Sequence, residues 1–354
     1  MNASGGRSVF LVESFMTTIG LDIGGANLKA ATADGRAVSV AFPLWKSPEQ
    51  LPAALSSLIG PLGTYDQLAV TMTGELADCF ATKAEGVARI LHAVEQFAAG
   101  RPIRVWTTAG RFTHSQNAAR EWPLVAAANW HALATWAGRF ASQGHALLLD
   151  IGSTTTDIIP LRDGVPCPRG RTDVDRLMHH ELVYTGVRRT PVCAVKQTVT
   201  LRGRPCPLAA ELFATMLDVY LITGKTPADP TDTDTADGRP ATVPHAENRL
   251  AHMLCCDRTE VTTEELRLIA DEIAMQQFHQ IQTAVVQVIE RNWNWGRPAT
   301  VILSGSGTFL ARDVVCDITQ ADDAQRVELA KELSPEVAEA ACAYAVACLA
   351  AAQF

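Results

Sequence analysis

The chain has 354 residues, 47% hydrophobic and 19% charged, which is enough apolar material for a large core and favours two lobes over one. Lys and Arg number 30 against 38 Asp and Glu, and the formal net charge of −8 comes with no extended basic run, so no nucleic-acid partner is expected. Nine cysteines, an odd number with no CxxC pair, exclude a disulfide scaffold and predict a reduced, cytoplasmic, enzyme-like chain.

In residues 1–15 the apolar run ends at Glu13, too soon for a signal-peptide core, and the segment reads as an extension ahead of a first strand beginning after Met16. Residues 18–32 join an apolar strand, a Gly-rich turn and a second β-prone run, followed by the tight turn Asp34-Gly35. Residues 67–72 and 103–107 read as buried strands with an amphipathic helix over 84–99 between them. Residues 118–140 read as helix, with a break expected at Pro123. Residues 146–161 repeat the opening pattern and are followed by Asp163-Gly164. Further along, 194–201 is strand-like, 208–223 helical up to Gly224, and 227–240 a solvated loop holding Asp229, Asp232, Asp234 and Asp237. A long helix is predicted over 263–293, stopping at Gly296 and Pro298. A third strong strand, 300–303, runs into Ser304-Gly305-Ser306-Gly307 and another helix. Ser334-Pro335-Glu336 has the cap, proline and first-turn acid of a helix start. The Ala- and Cys-rich run behind it is shorter than a bilayer span, so a buried final helix is expected and no membrane partner.

The internal repeat organises these elements. Asp22-Ile23-Gly24 and Asp150-Ile151-Gly152 open equivalent turns, each between two strand-like runs. The simplest account is an α/β protein of two similar lobes with a cleft between them. Lobe I takes residues 16–144, lobe II residues 145–333, and the helix in 334–354 returns to lobe I. A strand-end aspartate beside a Gly-rich turn is phosphate-handling chemistry, because open amides form an anion-binding concavity while the carboxylate holds Mg²⁺ that bridges to phosphate oxygen. The candidate phosphate-binding residues are Gly24, Gly25, Asn27 and Lys29 in the first turn, Gly152, Ser153, Thr154 and Thr155 in the second, and Ser304, Gly305, Ser306 and Gly307 in the third. Asp22 and Asp150 are the candidate catalytic and metal carboxylates. Asp157, which stands where the first repeat has Lys29, is a third candidate for the metal. Each turn taken singly also reads as an ordinary hairpin.

Glu75, after a buried strand, reads as a base, a metal ligand or the cap of the next helix. Arg188 and Arg189 read as a bidentate anion site or as a solvated surface pair. His245, His252, Cys255 and Cys256 lack zinc-ligand spacing and read as buried thiols with neighbouring histidines.

The three turns together resemble the phosphate-one, phosphate-two and adenosine motifs of the actin-like ATPase superfamily of actins, sugar kinases and heat-shock chaperones. That resemblance implies two ribonuclease-H-like lobes. More narrowly, Met72-Thr73-Gly74-Glu75-Leu76-Ala77-Asp78, Ala128-Asn129-Trp130, the block Glu181 to Pro191 and Asp234-Thr235-Ala236-Asp237-Gly238-Arg239-Pro240 are similar to hydantoinase/oxoprolinase-related proteins linked to tetrahydromethanopterin-dependent C1 transfer. This resemblance implies a transferase of methanofuran-type cofactor biosynthesis. It would join an aminomethylfuran-methyl diphosphate to a glutamylated tyramine or tyrosine phenol and release pyrophosphate. It further implies Tyr184, Arg188 and Arg189 as substrate-binding residues, Mg²⁺ and no redox cofactor, and it leaves a homodimer open. An ATP-dependent small-molecule kinase and a non-enzymatic ATP-binding module are the competing readings.

Overall fold

In the computed structural model the described residues are 16–293, 297–319 and 324–352. The extension 1–15 and the Gly296 helix stop lie outside them. The first sheet contains β1 (Thr18–Ile23), β2 (Asn27–Thr32), β3 (Ala37–Ala41), β4 (Gln67–Met72), β5 (Ile103–Trp106) and β6 (Phe112–His114), in the order β3-β2-β1-β4-β5-β6. The second half opens with β7 (His145–Ile151), β8 (Thr156–Arg162), β9 (Val165–Pro166) and β10 (Leu182–Val183). It continues through the separate hairpin β11 (Thr198–Leu201) and β12 (Arg204–Pro207) to β13 (Thr300–Ser304) and β14 (Gln325–Glu328). Its sheet runs β10-β8-β7-β13-β14, with β9 on β8.

Both sheets grow around their first strand in the same way. An antiparallel hairpin lies on one side (β1/β2, β7/β8) and parallel strands reached through helical crossovers lie on the other (β1-β4-β5, β7-β13-β14). This is the arrangement of two similar lobes that the internal repeat implies. Register makes the repeat exact at one pair: Asp22 faces Lys29 across β1/β2 and Asp150 faces Asp157 across β7/β8.

The central strands are near-continuous apolar runs because helices cover both faces, the condition that selects parallel strands. In lobe I the helices Leu51–Ile59 and Lys83–Ala98 supply Leu55, Leu58, Ile90 and Val94 against Ile19, Leu21 and Ile23. The other face takes the terminal helix Ala341–Ala351, where Ala343 meets Ala31 and Val346 meets Ala69. Ala341 and Ala345 of the same helix join Leu148, Ile159 and Ile302 of the second sheet. The terminal helix therefore contributes to the cores of both lobes, and its alanines let backbones approach closely on either side.

Several local expectations are corrected. Residues 118–140 form no single helix: Trp122–Val125 and Asn129–Ala137 are separated by Ala127 at φ 48, beyond the proline expected to break them. The helix expected over 208–223 is only Met216–Ile222, and its start is fixed where the Asp218 carboxylate accepts from the Thr215 amide at 2.9 Å. Residues 192–195 are one helical turn ahead of β11. The last helix is broken at Ala340, although Ser334 does cap Pro335–Glu339 by accepting from the Val337 amide. No helix among the described residues is long and apolar enough to cross a membrane.

Candidate active site

The two repeat turns have the same backbone construction. The Gly24 amide donates to the Asn27 carbonyl at 3.0 Å, and the Gly152 amide donates to the Thr155 carbonyl at 2.8 Å. These bonds leave the amides of Gly25 and Ala26, and of Ser153 and Thr154, without a backbone acceptor among the described residues. Successive open amides of this kind are an anion-binding concavity. The third turn docks on the second lobe's first strand, the Gly307 amide donating to the Ile151 carbonyl at 2.8 Å. Ser304 lies opposite Asp150 in the ladder and hydrogen-bonds its carboxyl.

Asp22 and Asp150 end the two first strands and share one electrostatic neighbourhood. Burial pushes the Asp22 carboxyl up to about 6 against the pull of Lys29. Burial, then the neighbouring Asp157, pushes Asp150 up to about 7, with Lys29 and Asp22 also acting on it. One oxygen of Asp22, Oδ1, is sealed from solvent without a hydrogen-bond partner. A buried, unpaired carboxylate oxygen costs free energy unless a cation or donor meets it. Lys29 is held in place by donating from Nζ to the Glu339 carbonyl at 2.7 Å, at the end of the helix preceding the terminal one. The Cys342 thiol at this floor is pushed up by burial and then by Asp22 and Asp150, so it stays protonated; Asn129 Nδ2 donates to its sulfur at 3.8 Å. Among the described residues no three His, Cys, Asp or Glu side chains form a closed metal cage. Two carboxylates beside open amides could hold a metal only if it were shared with a bound anion such as phosphate.

The other predicted residues divide. Asp157 is taken up by an arginine: Arg176 Nη2 donates to it at 2.6 Å and to the Glu181 carbonyl at 3.0 Å, with its guanidinium 4.0 Å over the Trp130 ring. A carboxylate facing a second carboxylate needs such a counter-ion, and Arg176 is 1% exposed. Arg188 is likewise committed, by a bidentate pair to Asp232 at 2.7 Å and a third bond to the Asp234 carbonyl at 2.9 Å. Asp237 bonds Arg249 at 2.9 Å, so the aspartate-rich loop is tied down by two arginines and not simply solvated. Arg189 is exposed, and its amide donates to the Ser153 carbonyl at 2.8 Å, which brings its backbone to the second glycine turn. Tyr184 is 66% exposed on the same block. Glu75 is not a helix cap, because Thr82 caps that helix by accepting from the Glu85 amide. Glu75 is buried instead and accepts from the Ala127 backbone, its carboxyl pushed up to about 7 by burial, with Lys83 and Asp173 as its charged neighbours.

The block 184–191 is stitched to the second glycine turn. The Val187 amide donates to the Gly152 carbonyl at 3.0 Å, and a Cβ on Gly186 would overlap the Thr154 amide and the Gly152 carbonyl. Gln277, absent from the sequence-based candidates, anchors it from the long helix Thr263–Trp293. Its Nε2 donates to Thr185 Oγ1 at 2.6 Å and to the Gly186 carbonyl at 2.9 Å. The signal was a fully buried polar residue on an otherwise apolar helix face, which periodicity alone hides among neighbouring glutamines.

The model of the hydantoinase/oxoprolinase family matches residues 66–353. The chain belongs to the hydantoinase/oxoprolinase family. Within it, a relative from Methanocaldococcus jannaschii is 33% identical over 333 residues, 93% of this chain and 96% of the relative, and is named (4-{4-[2-(gamma-L-glutamylamino)ethyl]phenoxymethyl}furan-2-yl)methanamine synthase. A relative of the same name from Methanococcus vannielii is 29% identical over 213 residues, 59% of this chain and 94% of that one. Among solved structures, a ROK family glucokinase from Streptomyces griseus aligns with 14% identity and a TM-score of 0.48, covering 94% of this chain and 98% of the kinase. An archaeal actin homolog with ADP aligns with 13% identity and a TM-score of 0.44, covering 95% of this chain and 99% of the homolog.

Proposed function

We propose that this member of the family is a transferase of methanofuran-type cofactor biosynthesis. It joins the methylene of an aminomethylfuran-methyl diphosphate to the phenol of a glutamylated tyramine or tyrosine and releases pyrophosphate. The observation that carries the reading is the pair of aspartate-ended turns with open amides, Asp22 and Asp150 sharing one site with Lys29, in a chain that aligns along 96% of a synthase with that ether product.

In this reading the diphosphate lies between the turns, its oxygens on the amides of Gly25, Ala26, Ser153 and Thr154, with Lys29 as a point charge. Asp22 and Asp150 would hold Mg²⁺, which would supply neutralising charge for the pyrophosphate leaving group. The furan methylene–oxygen bond breaks with its electron pair leaving on pyrophosphate, while the electron-rich furan stabilises the positive methylene carbon. The phenol oxygen forms the new C–O bond and passes its proton to the Glu75 carboxylate. A carboxyl near 7 is suited to that transfer at neutral pH. Stabilisation of the leaving group by preorganised amides supplies the larger share of the rate.

Calorimetric titration with Mg²⁺ present tests what the cleft is built for. A diphosphate-leaving-group site needs no adenine slot, so pyrophosphate is expected to bind at least as tightly as ATP. ATP binding about a hundredfold tighter, a difference of about 2.7 kcal/mol, with ADP formed on adding an alcohol or amine, would overturn the transferase in favour of a kinase.

A further inference from the structure

A second charged centre lies at the seam of the two lobes. Lys83, the first residue of the lobe I helix Lys83–Ala98, is 3.3 Å from Asp173, the first residue of the lobe II helix Asp173–Met178. Glu75 borders both charges. It is 1% exposed, and its Oε2 has no hydrogen-bond partner. Asp173 is also 3.8 Å from Arg176, whose guanidinium reaches Asp157, the ladder partner of Asp150. A row of charged groups therefore leads from the aspartate turns to Lys83.

Stability does not explain Lys83. A cation at the first position of a helix opposes the macrodipole, and a partly exposed ion pair contributes little. The helix start is already satisfied by Thr82, Glu85 and the Ala81 amide. Lys83 and Asp173 keep 23% and 27% of their side chains exposed, so the ammonium is open to exchange its partner. Leu76 follows Glu75 and Val174 follows Asp173; both are exposed, at 64% and 57%, so each lobe carries an exposed apolar residue next in sequence to a member of the centre. A cation with a replaceable anion, a buried unpaired carboxylate and exposed apolar residues match an aromatic hydroxyl compound that carries a carboxylate.

We propose that Lys83 reads the carboxylate of the acceptor substrate: the phenol lies across the seam with its hydroxyl toward Glu75, and its acidic tail takes the place of Asp173 on the ammonium. This rests on the transferase reading and names its second-substrate site. Asp173 then holds Lys83 in position while the site is empty and competes with the substrate for it.

Steady-state kinetics of the full chain, with the furan diphosphate saturating and either γ-glutamyltyramine or tyramine as acceptor, separate the possibilities. Lys83→Met is expected to raise KM for γ-glutamyltyramine about tenfold, with kcat within about threefold and KM for tyramine unchanged; Lys83→Arg recovers most of the loss. Asp173→Asn removes the competing anion and is expected to lower KM for the glutamylated acceptor alone. Equal KM increases for both acceptors, or unchanged KM with reduced kcat, would make Lys83 a tie between lobes and overturn the proposal. Circular dichroism identifies a misfolded Lys83→Met, in which case the Asp173→Asn result decides. A wild-type chain that uses neither acceptor overturns the transferase reading itself, a failure distinct from wild-type turnover without discrimination by the variants.

Discussion

The residue facing the turn aspartate is Lys29 in lobe I and Asp157 in lobe II, although the ladders around them are the same. Lobe I thereby contributes a cation, anchored on the Glu339 carbonyl, that acts on both Asp22 and Asp150. Lobe II has an added acid and must neutralise it internally, with Arg176 stacked on Trp130. The comparison extends to the third element of each lobe. Thr71 pairs with Asp22 as Ser304 pairs with Asp150, and counting three residues on equates Gly74 with Gly307. A Cβ at either would crowd the chain at the end of the lobe's first strand, Gly24 in one case and Ile151 in the other. One residue later the lobes part again, lobe I with the buried Glu75 and lobe II with Thr308. A duplicated backbone thus keeps its close approaches and divides its charges: a cation and a buried carboxyl on one side, a hydrogen-bonded carboxylate with a compensated acid opposite it on the other.

The largest effect expected from breaking this division is at Asp150. Burial and the second acid opposite it hold its carboxyl at about 7, against about 6 for Asp22, so of the two aspartates it depends more on a cation to be ionised at neutral pH. Asp150→Asn is expected to lower kcat by about 10²–10³-fold with the circular dichroism spectrum unchanged. Asp22→Asn should lose less and retain a weaker Mg²⁺ dependence. Loss of secondary structure in Asp150→Asn would make the aspartate structural, and equal losses at both positions would erase the asymmetry between the lobes.

Glu75→Gln tests the proton-accepting side and is expected to lower the rate about 10²-fold. Its stability should change in the opposite direction. Burial raises the Glu75 carboxyl from 4.5 to about 7 in the folded protein, so across that window the folded state holds more protons than the unfolded one. Wild-type stability from this group is therefore lost as pH rises from 4.5 to 7 and is level above it. Gln carries no such loss, so the variant should gain up to about 3 kcal/mol over wild type at pH 8 relative to the difference at pH 4. Thermal melts at the two pH values check this. A variant difference that does not change with pH would mean that the Glu75 carboxyl titrates in the folded protein as it does in the unfolded chain, unshifted by burial.

The fold was legible in the sequence where local pattern and tertiary demand coincide. Asp-Ile-Gly after an apolar run occurs twice, and the central strands are apolar because both faces are covered. The charges of the site were only half legible. Asp22, Asp150 and Lys29 are fixed by hairpin register, a local property. Arg176 and Asp157 are 19 residues apart and Lys83 and Asp173 are 90 apart, so their pairing depends on how loops fold back and has no periodic signature. For the same reason two adjacent arginines, 188 and 189, looked equivalent. The helix start at Met216 was readable in principle, since Thr215 is followed three residues later by the acid that caps it.

Those two arginines give the smallest and sharpest contrast. Both amides donate to the Ser153 carbonyl, so the backbone brings both residues to the lobe II turn. Only their side chains differ. Arg188 is spent on Asp232 and the Asp234 carbonyl, whereas Arg189 is exposed and makes no side-chain hydrogen bond or ion pair among the described residues. Arg189→Gln should therefore weaken Mg²⁺-pyrophosphate binding about tenfold, about 1.4 kcal/mol, and leave the melting temperature unchanged. Arg188→Gln should do the reverse, keeping pyrophosphate affinity within about twofold while the loosened aspartate loop lowers Tm by about 2–4 °C. If Arg188→Gln costs as much affinity as Arg189→Gln, then the guanidinium leaves Asp232 when the anion arrives, and lobe II carries a mobile cation to match the fixed one in lobe I.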